Sequence, residues 1–198
     1  MSSRSLEWLP SLKHFLPDCS YFLDMELTLS EPGKTSTIRE AMPLLARNEG
    51  VWEGWYRYID TSGKTTDQHR SRLFCRITDT GDYHQTNHYF WEDGRVEIRD
   101  FPARYENGRI WWENEFISGW AAAMQPDDNH RSTCLNWTRT GEPDLYLYEM
   151  IQLSDDGKNR ARTWQWFRHG KCFQRTLIDE VFITSDWRNF SEQTPLSI

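Results

Sequence analysis

Glu149 is the one charged residue on an otherwise apolar alternating set, Leu145, Leu147, Glu149, Ile151 and Leu153. Successive side chains of a strand point to opposite faces, so this set shares a face and would turn it inward. Arg175 interrupts a second such set, Phe173, Leu177, Val181 and Ile183, as does Asp179. A buried charge is costly unless paired, and Glu149 and Arg175 are expected as partners. A carboxylate in an apolar cavity holds its proton more tightly and can act as a general acid or base near neutral pH. Arg175 can steady developing negative charge.

His84 and His88 fall on one face of a strand over 82–91. Four residues along a strand span about 13 Å, too far to share one metal ion, and no other spacing resembles a ligand set, so no metal is expected. His88 is read as the acid/base partner of Glu149, with a satisfied interior histidine as the alternative. A haem-binding barrel with His88 or His69 as axial ligand is a further alternative without a motif behind it. Tyr56 and His69 are expected as an inward pair able to hydrogen-bond a phenol or carbonyl. Phe90, Trp112, Asn114 and Trp164 complete the candidate lining, with His84. The tryptophans would supply flat walls, and simple packing explains them equally well.

Turn chemistry positions these residues. Thr61-Ser62-Gly63-Lys64, Thr80-Gly81, Asp93-Gly94, Asn107-Gly108, Gly141-Glu142-Pro143, Asp155-Asp156-Gly157 and His169-Gly170 punctuate the chain from residue 50 onward. Between them lie strands near 51–59, 67–78, 82–91, 95–101, 103–106, 109–115, 116–124, 131–138, 144–153, 160–168 and 171–184. Two of the shorter ones merge at Pro102. About ten hairpin-linked strands are best satisfied by closing on themselves, which removes the edges. The expected fold is all-β, a closed antiparallel up-and-down barrel.

Hairpin register then assigns faces. A loop over 61–64 pairs Trp52 with Leu73 and Tyr56 with His69. A tight Thr80-Gly81 turn pairs Leu73 with His88, Cys75 with Thr86 and Ile77 with His84. Val96 falls beside Phe90, both inward, and Ile110, Trp112, Asn114 and Phe116 follow. A tight His169-Gly170 turn pairs Trp166 with Phe173 and Trp164 with Arg175. Arg70, Arg72 and Arg76 face out.

Residues 1–48 read as an N-terminal extension or lid. Leu6, Trp8, Leu9, Leu12, Phe15 and Leu16 form a short amphipathic pattern ending before Pro17, and 21–29 can extend as a strand. Ser36 or Thr37 is placed to cap a second helix over 38–47. The barrel then occupies 49–185, and 186–198 is a polar tail.

The 198 residues carry 11 Trp, 8 Tyr and 10 Phe, which suits either a packed interior or a cavity for a flat ligand. A net charge of −7, with both signs interspersed, argues against a nucleic-acid partner. No signal peptide or long apolar run is visible, so no membrane partner is expected. Cys19, Cys75, Cys134 and Cys172 lack CxxC spacing and read as reduced thiols of a cytoplasmic protein.

The glycine-flanked tryptophan of Gly50-Val51-Trp52-Glu53-Gly54 heads this strand series. With Gln85-Thr86-Asn87-His88-Tyr89-Phe90, Asp93-Gly94 and Glu115-Phe116-Ile117-Ser118-Gly119, it resembles a lipocalin-like (calycin) family close to the phycobilin chromophore lyases. The resemblance covers roughly residues 48–184. It implies a barrel that holds a small molecule, which some relatives ligate or isomerise. It also implies a late-strand arginine packed on the first-strand tryptophan, a second role for Arg175 against Trp52.

No nucleophile elbow, phosphate-cradling loop or dinucleotide fingerprint occurs, so no cofactor is expected. The leading expectation is a cofactor-independent isomerase, cyclase or lyase acting on a hydrophobic aromatic or polycyclic molecule. Glu149 and His88 would move protons, and Tyr56 or Arg175 would steady charge. The alternative is a non-catalytic carrier or chromophore-handling protein. A third is a partner protein using Arg72, Tyr89, Arg70 and Trp91 as an outer contact face. A homodimer is compatible with any of them.

Overall fold

The computed structural model describes residues 37–198; the expected helix over 6–16 and strand over 21–29 lie outside the described residues. Ten strands follow one another around a closed antiparallel barrel: β1 (Gly50–Asp60), β2 (Thr65–Ile77), β3 (Tyr83–Phe90), β4 (Val96–Glu106), β5 (Arg109–Glu113), β6 (Ile117–Ala123), β7 (Ser132–Arg139), β8 (Glu142–Leu153), β9 (Asn159–Arg168) and β10 (Lys171–Thr184). β10 pairs with β1, so no edge is left open. β4 runs unbroken through Pro102, as the merging of 95–101 and 103–106 anticipates.

Two short helices, α1 (Ile38–Ala41) and α2 (Pro43–Ala46), precede the barrel where one helix over 38–47 was expected. Thr37 caps α1 through a reciprocal capping box with Glu40. Pro43 ends that helix and starts the next, because proline has no N–H to continue the ladder but fits a first turn. Ile38, Met42, Leu44 and Leu45 are buried and join the same core as Trp52 and Leu73. The indole N–H of Trp52 donates to the carbonyl of Asn48 at 2.9 Å, tying the strand start to the helical segment.

The β1–β2 register places Trp52 opposite Leu73 and Tyr56 opposite His69, all four buried, as expected. Two other registers differ by one residue. The connection from β2 to β3 spans 78–82, with Thr78 N–H bonded to the Asp82 carbonyl at 2.8 Å, and is longer than a tight Thr80-Gly81 turn. Leu73 therefore faces Asn87, Cys75 faces Gln85 and Ile77 faces Tyr83. His84, His88 and Phe90 turn outward, and Val96 beside Phe90 is 56% exposed.

β10 begins as expected, with Lys171 opposite Arg168 and Cys172 opposite Phe167. A bulge at Phe173 then shifts the pairing, so Gln174 meets Trp166 and Thr176 meets Trp164. Arg175 and Asp179 consequently lie on the outer surface, while Thr176, Ile178 and Glu180 are buried.

The segment after β10 covers the outer face of β1 and β2. Arg72 and Glu53 form a buried pair there at 2.5 Å, each side chain 1% exposed. Arg72 also donates to the carbonyls of Glu192 and Pro195, and Glu53 accepts from the backbone N–H and hydroxyl of Ser197. Arg72 is thus enclosed, and Tyr89 and Trp91 line the interior, which removes the outer contact face proposed for them. Cys75, Cys134 and Cys172 are free thiols. No helix among the described residues is long and apolar enough to cross a membrane.

Candidate ligand cavity

The barrel interior is hollow, with a cavity of about 380 Å³. Its walls differ in chemistry. One is an aromatic row: Trp164 and Trp166 of β9 lie 5.6 Å apart and Trp137 of β7 lies 5.3 Å from Trp166, with the enclosed Tyr56 of β1 edge-on to Trp164 at 5.5 Å. Gly119 makes room for this row. A Cβ there would lie 2.4 Å from Cβ of Trp137 and 2.2 Å from the Asn136 carbonyl oxygen. The wall built by β3 is polar: Tyr83 donates to Gln85, Gln85 to Asn87 and Asn87 to the hydroxyl of Tyr89, at 2.9, 2.8 and 2.7 Å. Period two puts these four side chains on one face of one strand.

The inner end carries a buried set of charges. Arg162 Nε donates to Glu149 at 2.6 Å, and Arg162 also reaches Glu180 at 3.4 Å and the Tyr56 hydroxyl at 3.0 Å. Arg160 Nε donates to Glu180 at 2.5 Å, and its Nη1 donates to Asn48 at 3.1 Å. Two guanidinium groups thus face two carboxylates, and the cluster is balanced. The Arg160 guanidinium lies 4.3 Å from the ring centre of Trp52, a cation–π contact that closes this end against the strand-one tryptophan.

Burial alone would push the Arg160 and Arg162 guanidinium groups toward neutrality. The facing carboxylates outweigh it and raise both, so both stay charged. Burial pushes the Tyr56 phenol far above its usual range, leaving it a neutral hydroxyl that accepts from Arg162. Gly54 permits this arrangement: a Cβ there would sit 2.2 Å from the Asp179 carbonyl oxygen and 2.5 Å from Cγ of Glu180.

Toward the other end His69 stacks on Tyr56 at 4.8 Å, 19° from parallel. Its Nδ1 lies 3.1 Å from the Arg70 carbonyl, an acceptor only, so Nδ1 carries the proton. Nε2 is then free to accept from the Tyr58 hydroxyl at 3.4 Å. Burial lowers the His69 pKa, which favours this neutral form. Asp67, Arg95, Glu97, Arg99 and Arg139 give the lining at this end a mixed charge.

Of the residues expected to form a site, Glu149, His69, Trp112 and Trp164 line the cavity, and the enclosed Tyr56 packs against His69 and Trp164. His84, on the outer surface, lies 3.1 Å from Asp100. His88 packs on the outer side with its ring 5.4 Å from Phe74, and Phe90 lies beside it at 6.4 Å. Asn114 closes a turn by accepting from the N–H groups of Phe116 and Ile117. Arg175 is exposed; Arg162 takes its expected place against Glu149 and Arg160 its expected place against Trp52. Sequence reasoning missed Arg160, Arg162 and Glu180, and also Gln85 and Asn87. A signal for the arginines was present: Arg160, Arg162 and Trp164 share one alternating set.

No protein-family model matches the chain, and no curated protein matches it. Solved structures do share its architecture. The S-type phycobiliprotein lyase CPES from Guillardia theta superposes with a TM-score of 0.58 at 12% identity, covering 72% of this chain and 92% of that one. The fold is a lipocalin-like barrel. Rv2717c from M. tuberculosis matches with a TM-score of 0.52 at 12% identity, over 73% of this chain and 98% of that one. A protein of unknown function of the DUF3598 family from Nostoc punctiforme gives 0.57 at 13% identity over 70% of this chain. This chain spans about half the length of that Nostoc protein, 49%. At these identities the likeness describes the lipocalin-like architecture.

Proposed function

We propose that this barrel binds a flat, largely apolar small molecule in its central cavity, as a carrier or chromophore-handling protein. The observation that carries the reading is a hollow of about 380 Å³ walled by tryptophans on one side and a polar ladder on the other. Apolar concavities with a few convergent polar groups are where small ligands bind. The architectural likeness to a phycobiliprotein lyase favours a conjugated ligand. Native mass spectrometry of the full chain, before and after adding a conjugated aromatic probe, tests this. One bound molecule per chain, with saturable quenching of tryptophan emission, is expected. An interior that takes up no probe overturns it.

A second reading is cofactor-independent isomerase, cyclase or lyase chemistry at the same place, favoured by the contact of Arg162 with both Glu149 and Tyr56. Arg162, held by Glu149 and Tyr56, would steady an oxyanion, and Nε2 of neutral His69, beside the Tyr58 hydroxyl, would take a proton. Glu149 acts here by holding Arg162. Once a substrate is known, the His69→Gln variant should lose turnover at least about a hundredfold, in the range of general acid–base contributions. Unchanged turnover removes this reading.

A further inference from the structure

The unpaired donors of the cavity wall point to the chemistry of its occupant, an inference that rests on the binding function proposed above. Among the described residues, five buried side-chain polar atoms lack a hydrogen-bond partner, and all five are nitrogen donors. Three of them, Arg160 Nη2, Trp112 Nε1 and Trp164 Nε1, belong to residues lining the cavity, which are 3%, 5% and 8% exposed. Gln85 and Asn87 take hydrogen bonds within the polar ladder, and Glu149 takes Arg162. Leaving a buried donor unmade carries its full desolvation cost, so buried donors normally find partners.

We propose that the ligand is a planar, conjugated molecule carrying neutral carbonyl-type oxygens. Its oxygen supplies the acceptor that the indole N–H groups and the free arm of Arg160 lack, after small side-chain adjustments. Charge decides for a neutral oxygen. Arg160 and Arg162 are already matched by Glu149 and Glu180, so a carboxylate placed there would add an uncompensated negative charge. The flat faces of the tryptophans favour conjugation.

The test uses a matched pair of probes on the full chain, 9-fluorenone and fluorene, which differ in one carbonyl. Equilibrium dialysis should show fluorenone bound at least about fivefold more tightly, the size expected when one buried donor gains a partner. That ratio should shrink toward one in Trp164→Phe or Trp112→Phe, which keep a ring and lose the N–H. Equal binding of the two probes by the unmodified chain overturns the acceptor assignment and leaves the binding function standing. A ratio unchanged in both variants overturns the assignment to the indoles. Binding of neither probe overturns the binding function and this inference together.

Discussion

Arg162 donates from Nε to Glu149 at 2.6 Å and from Nη1 to the hydroxyl of Tyr56 at 3.0 Å, so one guanidinium joins β8, β9 and β1 across the barrel interior. Removing one member of a buried pair strands the other charge, typically at about 3–5 kcal/mol, whereas replacing both by apolar groups is often neutral. Arg162→Met is therefore expected to destabilise by about that amount, and Arg162→Met with Glu149→Met by markedly less. Denaturant unfolding of the two single variants and the double variant measures the coupling.

The register of β3 and β10 makes a separate prediction. Arg175 is exposed and outward, so Arg175→Ala should change stability by less than about 0.5 kcal/mol and leave probe binding unaltered. Asn87→Leu, which breaks the ladder between Gln85 and Tyr89, should alter binding of the same probe. The reverse pattern in a binding titration would restore the inward arginine.

Gly54 is the point of closest approach between β1 and the side chain of Glu180. A Cβ there meets the Asp179 backbone oxygen at 2.2 Å, and backbone cannot swing aside as a flexible side chain can. Gly54→Ala should cost about 1–3 kcal/mol, the usual range for overpacking. Gly63→Ala, with open space around its Cβ but a φ of +90°, should pay only for its backbone conformation. Thermal unfolding of both variants separates the two effects.

Acid should weaken the fold before its carboxylates titrate. Burial lowers the pKa of both His69 and His88 below the ordinary 6.5, so the unfolded chain binds these protons more readily than the folded one. Their neutral, buried state contributes fully above about pH 6.5, and the contribution is lost as pH falls through that value toward the folded pKa values. Stability measured between about pH 7.5 and 5.5 should decline. His69→Gln should show a shallower slope. An equal slope in the variant would place the titrating group elsewhere.

The strand positions were legible because glycine turns mark their ends, and the β1–β2 register because a defined loop joins two strands whose apolar residues agree. Two faces were misread for identifiable reasons. At 78–82 a longer loop replaced a tight turn, and one residue of slip exchanges inward for outward along a whole strand. In β10 a bulge at Phe173 did the same, and nothing in the local sequence marks it. Hydrophobicity also misled: outward Phe173 and Leu177 are 39% and 38% exposed, whereas inward Glu180 is 3% exposed. A polar interior inverts the usual alternation, which is why Arg160, Arg162 and Glu180 were not among the expected site residues, although Glu149 was.

Ligand binding in the barrel requires an open interior. Ala121 is 1% exposed and lines the cavity, and its Ala121→Phe variant would fill part of that space. Titrating 9-fluorenone into the unmodified chain and into this variant, with far-UV circular dichroism as the check on folding, is the most direct measurement. Saturable binding that weakens at least about tenfold in the folded variant, as loss of well-packed contact area would give, is predicted. Binding of equal strength in both proteins would place the ligand outside the barrel and contradict the account.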